Sequence, residues 1–144
     1  MKRLFLLPLS LCLLSCQSTS NSQETTYTLP KHDYSEIIDK AIKWSDLFNQ
    51  EQLLYYVYIY SPTCSHCQNI KEEVISKSLE LDNFYFIEYK KDIPIIKNAS
   101  LTIGMNDIKD IGILGTPTLI WILDKEVVKN LAGEKEILEN LKKI

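Results

Sequence analysis

The run "LLYYVYIY", residues 53 to 60, constrains the fold of this chain most, because it is apolar on both of its faces. Its β-branched and aromatic side chains favour an extended strand. A strand without a polar face needs cover on both sides, so the run predicts the central strand of a sheet. Ser61 and Pro62 end it, and a helix is predicted to follow, with Thr63 as its N-cap. The apolar stripe of that helix consists of Cys67, Ile70, Val74, Ile75 and Leu79.

The remaining elements follow from similar patterns. They are predicted at residues 33 to 50 (helix), 83 to 90 (strand), 106 to 111 (short helix closed by Gly112), 118 to 124 and 126 to 133 (strands joined by a turn at Asp124-Lys125) and 134 to 144 (helix). Residues 91 to 105 predict no regular element, since Pro94 disfavours one. The order α-β-α-β-α-β-β-α predicts an α/β domain in which helices sandwich a mixed central sheet in three layers.

Composition limits the classes of function. The chain has 144 residues, of which 45% are hydrophobic and 24% charged, as expected for one compact domain. Its formal net charge is −3 and its basic residues are scattered. A nucleic-acid-binding surface needs clustered positive charge, so no nucleic-acid partner is expected.

The first residues resemble a bacterial lipoprotein signal. Lys2 and Arg3 precede an apolar stretch, residues 4 to 14, that is too short to span a bilayer. Ser15-Cys16 then resembles the end of a lipobox, in which the cysteine is acylated and becomes the first residue of the mature chain. We therefore expect a signal peptide over residues 1 to 15 and a lipid anchor on Cys16. The alternative is an ordinary signal peptide that is cleaved elsewhere.

A polar segment separates this anchor from the domain. Residues 16 to 32 are rich in Ser and Thr and lack the apolar content to fold, so they are expected to act as a flexible tether. The folded domain is then residues 33 to 144. It is expected in the cell envelope, held by its lipid to a bacterial membrane and facing the extracytoplasmic side, where disulfides can persist.

The pair Cys64 and Cys67 lies at the predicted start of the helix. Unpaired N–H groups at such a start favour a thiolate, which is the attacking species in thiol–disulfide exchange. Cys64 is therefore a candidate nucleophile and Cys67 the thiol that resolves its adducts. A protonated His66 between them would favour the reduced dithiol and make the disulfide more oxidising. Two alternatives stay open, a structural disulfide and half of a metal site, although no familiar set of metal ligands accompanies the pair.

Cys64-Ser65-His66-Cys67, followed by Gly115-Thr116-Pro117-Thr118 before an apolar strand, resembles the thioredoxin superfamily. The resemblance covers nearly all of residues 33 to 144. It implies that the Thr116-Pro117 bond is cis and faces the cysteines, and that the backbone of Thr116 pairs with an extended substrate segment. The context "PTCSHC" is also similar to the bacteriocin-transport accessory proteins of Gram-positive bacteria.

This sequence departs from the family pattern at two places, and these departures limit which of the family's functional features can be expected here. Tyr58 occupies the place where thioredoxin-like proteins often bury an acid that exchanges protons with the second cysteine. Ser65-His66 replaces the Gly-Pro of reductases, and His66 and Thr116 are more similar to disulfide isomerases and extracytoplasmic thiol oxidases.

The resemblance implies a membrane-anchored thiol–disulfide oxidoreductase that exchanges disulfides with secreted or envelope proteins. Two sulfurs carry both electrons, so neither an organic cofactor nor a metal is expected. Oxidation or isomerisation is favoured by His66, while reduction fed by a membrane redox partner stays open. The alternative is a redox-inactive lipoprotein that uses the same scaffold as a binding or accessory module in secretion.

Overall fold

The computed structural model of the chain describes residues 32 to 144. The predicted signal peptide, Cys16 and nearly all of the tether therefore lie outside the described residues. Among residues 32 to 144, no helix has the length and apolar character that crossing a membrane requires.

A mixed four-stranded sheet forms the centre of the domain. Its strands are β1, Leu54–Tyr60, β2, Phe84–Glu88, β3, Thr118–Leu123, and β4, Glu126–Ala132. They lie in the order β2-β1-β3-β4, with β1 parallel to β2 and the other neighbours antiparallel. β1 is thus flanked on both edges, and six of its seven residues are buried. This confirms the prediction of a central strand.

Three α-helices cover one face of this sheet. They are α1, Ser65–Asn69, α2, Lys71–Leu79, and α3, Glu134–Leu141. α1 and α2 form the single helix that the sequence predicts, but it bends at Ile70, where φ is −112° and ψ is 8°. The bend keeps both segments against the sheet, since Ile70 itself is buried in the core beneath them.

The predicted helix over residues 33 to 50 is wrong. Two 3-10 helices, Tyr34–Lys40 and Trp44–Asp46, are separated by Ala41, which bridges to Phe86 at the edge of β2. Ile37 packs into the core on the α-helical face, whereas Leu47 packs into the core on the opposite face. One straight helix could not bury both residues, so the chain extends at Ala41 and crosses the edge of the sheet.

β1 contributes alternate residues to the two cores, because successive side chains of a strand point to opposite faces. Tyr56, Tyr58 and Tyr60 face α1 to α3, and Tyr55, Val57 and Ile59 face the other side. Cys67 is part of the first core. A tyrosine-rich central strand therefore forms the floor beneath the cysteine pair.

The second face is covered mainly by irregular chain. Residues 106 to 111 form no helix, which corrects the prediction, and a short 3-10 helix, Ala99–Thr102, lies earlier. The backbone of Ile113 donates to the carbonyl of Pro94 at 2.9 Å, and a Cβ on Gly112 would come within 2.6 Å of that oxygen. Gly112 is therefore needed for close approach of two chain segments rather than to close a helix.

The C-terminal part has the predicted hairpin and helix. Asp124 and Lys125 both have positive φ, 50° and 62°, as a two-residue type I′ turn requires. Gly133, with φ of 89°, then redirects the chain from β4 into α3. The predicted α/β architecture, a mixed sheet between two covering layers, is confirmed for residues 32 to 144, although the second layer contains little regular helix.

Candidate redox site

The cysteine pair lies just beyond the end of β1. The backbone N–H of Cys64 donates to the carbonyl of Ser61 at 3.1 Å, which closes the turn between strand and helix. The N-cap of α1 is Cys64 itself, since its sulfur accepts from the N–H of Cys67 at 3.4 Å. The hydroxyl of Thr63, the predicted N-cap, instead lies 3.1 Å from the hydroxyl of Ser61. The sequence therefore placed the start of this helix one residue too early.

Cys64 is half-buried and surrounded by hydrogen-bonding groups. Burial opposes ionisation of its thiol, but hydrogen bonds from the side chains of Thr116 and Cys67 and from backbone groups of Cys67 and His66 outweigh it. The pKa of Cys64 is consequently held below its ordinary value. α1 has only five residues, so these nearby donors, rather than the dipole of a long helix, favour the thiolate.

The peptide bond between Thr116 and Pro117 is cis, which confirms the expectation for this proline. The thiol of Cys64 donates to the carbonyl oxygen of Thr116 at 3.3 Å, so the loop that contains the bond lies against the cysteine. Two further contacts hold this loop. The hydroxyl of Thr118 donates to the carbonyl of Gly115 at 2.6 Å, and the N–H of Gly133 donates to the carbonyl of Pro117 at 3.1 Å.

Cys67 has the opposite environment. Its side chain is fully buried, whereas that of Cys64 is partly exposed. Burial, with the charge of a Cys64 thiolate as a further cause, raises the pKa of Cys67 to about 11. The pair is therefore chemically asymmetric: one thiol is accessible and acidic, and the other is enclosed and holds its proton.

Two tyrosine hydroxyls lie behind Cys67. Tyr58 is fully buried, and the hydroxyl groups of Tyr58 and Tyr34 make no hydrogen bond of good geometry among residues 32 to 144. Each is nonetheless close enough to the other and to Cys67 for electrostatic interaction. Burial raises the pKa of both tyrosines, so both are neutral near pH 7. Tyr58 thus puts a neutral hydroxyl behind the second cysteine.

His66 points away from the core and is 69% exposed. Its Nδ1 lies 2.5 Å from Oε1 of Glu134 at the start of α3, and the side-chain amide of Asn69 donates to the same oxygen at 3.0 Å. Hydrogen bonding and charge from Glu134 raise the pKa of His66, and the same contact lowers the pKa of Glu134. No local pattern points to Glu134, which is 68 residues from His66 along the chain and begins the C-terminal helix.

No family model and no curated protein matches the chain. Solved structures that are similar to it include thioredoxin f2 of Chlamydomonas reinhardtii, with 22% identity and a TM-score of 0.46 over 72% of this chain and 89% of that one. Thioredoxin f of spinach chloroplast, long form, has 16% identity and a TM-score of 0.47, with coverage of 75% and 88%. Thioredoxin of Aeropyrum pernix has 23% identity and a TM-score of 0.45, with coverage of 71% and 81%.

The described part of the chain offers no group of three or more His, Cys, Asp or Glu side chains arranged to hold a metal ion. What the site contains is a dithiol, a cis-proline loop against its outer sulfur, a histidine paired with a glutamate, and a buried pair of tyrosines.

Proposed function

We propose that the protein is a thiol–disulfide oxidoreductase in which Cys64 is the nucleophile and Cys67 the resolving thiol. The observation that supports this best is the asymmetry of the pair. Cys64 is accessible and its pKa is lowered, while Cys67, three residues away, is buried and its pKa is raised to about 11. A purely structural disulfide has no need of such a difference.

In the reducing direction, the Cys64 thiolate attacks one sulfur of a substrate disulfide. The substrate S–S bond breaks, a mixed disulfide forms, and the other substrate sulfur leaves as a thiolate that takes a proton from water. The Thr116 carbonyl, 3.3 Å from the Cys64 sulfur, marks the side of the cysteine that the cis-proline loop occupies. We propose that Thr116 and Pro117 align an extended substrate segment there.

The second step uses Cys67. It gives its proton to water and attacks the sulfur of Cys64, so that the mixed disulfide breaks, the Cys64–Cys67 disulfide forms and the second substrate sulfur leaves as a thiolate that takes up a proton. The substrate has then gained two electrons and the pair has lost two. The same steps in reverse oxidise a substrate dithiol, and no further cofactor is required because the sulfurs carry both electrons.

The charge of His66 favours the oxidising direction. A cation beside Cys64 stabilises its thiolate and hence the reduced pair, which makes the disulfide a stronger oxidant. We propose oxidation or isomerisation of secreted or envelope proteins as the activity, with a membrane redox partner that restores the pair. A reduction potential near or below that of the cytosolic glutathione pool would contradict this direction.

The proposed location rests on the sequence of residues 1 to 32. We propose that Cys16 carries a lipid that anchors the protein to a bacterial membrane, with the domain on the extracytoplasmic side. Labelling with a radioactive or alkyne-tagged fatty acid tests this proposal: the native chain should incorporate label, and Cys16→Ser should not. Label retained by Cys16→Ser would contradict it.

The activity is tested with the purified protein in two assays, reduction of insulin with dithiothreitol and oxidation of a reduced, unfolded disulfide protein in glutathione buffer. The native protein should accelerate at least one reaction, Cys64→Ala should accelerate neither, and Cys67→Ala should accumulate mixed disulfides. A redox-inactive binding module would accelerate neither reaction, and Cys64→Ala would leave its affinity for a partner unchanged.

A further inference from the structure

Glu134 contacts the redox site from a distant part of the chain. Its carboxylate oxygen lies 2.5 Å from Nδ1 of His66 and accepts from the amide of Asn69 at 3.0 Å. His66 and Asn69 both belong to α1, whereas Glu134 is the first residue of α3. One carboxylate oxygen therefore joins α1, the helix that Cys64 caps, to the last helix of the domain.

The position of Glu134 is fixed by the loop opposite the cysteines. Gly133, directly before it, donates its N–H to the carbonyl of Pro117 at 3.1 Å and adopts φ of 89°, which L residues rarely adopt. Ile137, in the first turn of α3, is fully buried. The carboxylate is thus held by the same corner of the chain that supports the cis-proline.

We propose that Glu134 is a positioning residue of the redox site, whose carboxylate holds the His66 imidazolium beside Cys64 so that the ring acts on the Cys64 thiolate from a fixed place. This proposal rests on the proposed function where it concerns redox activity. A histidine that is 69% exposed would otherwise be free to rotate away from the cysteine, and its charge would be screened by water.

The interactions around the ring indicate that Glu134 acts through His66. The charged or titratable groups that act on His66 are Glu134 and Cys64, and both favour its protonated form. The groups that act on Glu134 are His66 and Asn69. Removing the carboxylate should therefore change Cys64 through the ionisation and position of the ring.

The first test is an NMR titration of the His66 ring, which is one of only two histidines in the chain. Glu134→Gln keeps the size of the side chain and removes its charge. The midpoint of His66 should move down toward the ordinary value of histidine. Glu139→Gln, which removes the same charge from an exposed position on the same helix, is the matched control and should leave the midpoint unchanged. An unchanged His66 midpoint in Glu134→Gln overturns the proposal.

The second test is the alkylation rate of Cys64 with iodoacetamide between pH 5 and 9. In Glu134→Gln the rate near pH 7 should fall roughly 2-fold to 5-fold, because less of His66 is protonated there. His66→Asn and the double variant His66→Asn/Glu134→Gln should have the same rate. If Glu134→Gln slows alkylation equally when His66 is absent, the carboxylate does not act through the ring and the proposal is wrong.

These readouts separate the two proposals. Both the NMR midpoint and the alkylation rate can be measured without any redox substrate, so failure of the oxidoreductase assays leaves them interpretable. A role of Glu134 confined to joining α1 and α3 would lower stability without moving the His66 midpoint, and that result would also overturn the inference.

Discussion

Cys64 and Cys67 are separated by one turn of helix, yet their surroundings have opposite character. Around Cys64 lie hydrogen-bond donors and exposed polar groups: the backbone N–H groups at the start of α1, and His66 paired with Glu134. Around Cys67 lies the aromatic core, with Tyr58 and Tyr34 behind the sulfur. The exposed side stabilises a charge and the buried side opposes one. Two residues of the same type therefore have opposite environments, which is the basis for the attacking and resolving roles that we propose for them.

The largest expected effect comes from removing each of the two thiols in turn. Cys64→Ser should abolish turnover, a loss of at least about 1,000-fold, because the remaining thiol is buried and protonated. Cys67→Ser should keep the first attack and stop at the mixed disulfide, visible as a covalent adduct on non-reducing gels. Circular dichroism of both variants checks that they fold. If the Cys64→Ser variant, which keeps only Cys67, forms adducts as fast as the Cys67→Ser variant, the environments of the two thiols do not differ in reactivity.

A charge placed on the buried side should cost stability. Tyr58→Asp puts a carboxyl group in a fully buried position, so we expect the free energy of unfolding to fall by about 3 kcal/mol or more at pH 7. Burial raises the pKa of that carboxyl in the folded state. The loss should therefore grow as pH rises above about 4, the ordinary value for aspartate, because the unfolded chain ionises more readily.

Urea denaturation of this variant and of the native protein at pH 4 and pH 7 measures the difference. A loss of stability that is the same at both pH values would show that the effect comes from altered packing, without burial of a charge.

Removing only the buried hydroxyl should have a smaller effect. Tyr58→Phe should change stability by no more than about 1 kcal/mol, because the hydroxyl lacks a hydrogen-bond partner that would be left unsatisfied. The second step should slow about 3-fold to 10-fold, since Cys67 loses the neighbouring O–H dipole when it ionises. Stopped-flow decay of a preformed mixed disulfide measures this rate. Tyr55→Phe, on the opposite face of β1, should leave it unchanged and is the matched control.

The smallest expected effect is the dependence of stability on the His66–Glu134 pair. Folding raises the pKa of His66, so the histidine contributes fully to stability below about pH 6.5. This contribution is lost as the pH rises through the pKa of His66 in the folded protein. The pKa of Glu134 is lowered, so its contribution is present above about pH 4.5 and is lost as pH falls through the folded value. The advantage in Tm of the native protein over Glu134→Gln should be larger at pH 5.5 than at pH 8.5. An advantage that increases with pH would contradict the pairing.

Local pattern was enough to predict the parts of the molecule that depend on neighbouring residues. β1 and the 124–125 hairpin follow from short stretches whose chemistry permits few alternatives, whereas the cis bond before Pro117 was implied by the family resemblance of the residues around it. The failures involve long-range contacts. Residues 33 to 50 have helical periodicity, but Ile37 and Leu47 are buried on opposite faces of the sheet, and only the tertiary structure reveals this.

The site shows the same division. Cys64 and Cys67 stood out by their spacing and Pro117 by a family resemblance, whereas Glu134 and Tyr34 reach the candidate site from segments with no local signature of function. Tyr58 was recognised as a departure from the family pattern, but only the structure shows that its hydroxyl lies near a second one.

The most direct measurement is the pH dependence of alkylation at each cysteine, resolved by mass spectrometry of the reduced native protein. We expect the alkylation of Cys64 to have a pH midpoint below that of free cysteine. Cys67 should react only at much higher pH, because burial raises its pKa to about 11. Equal midpoints, or a Cys67 that reacts first, would contradict the asymmetry on which the proposed chemistry depends.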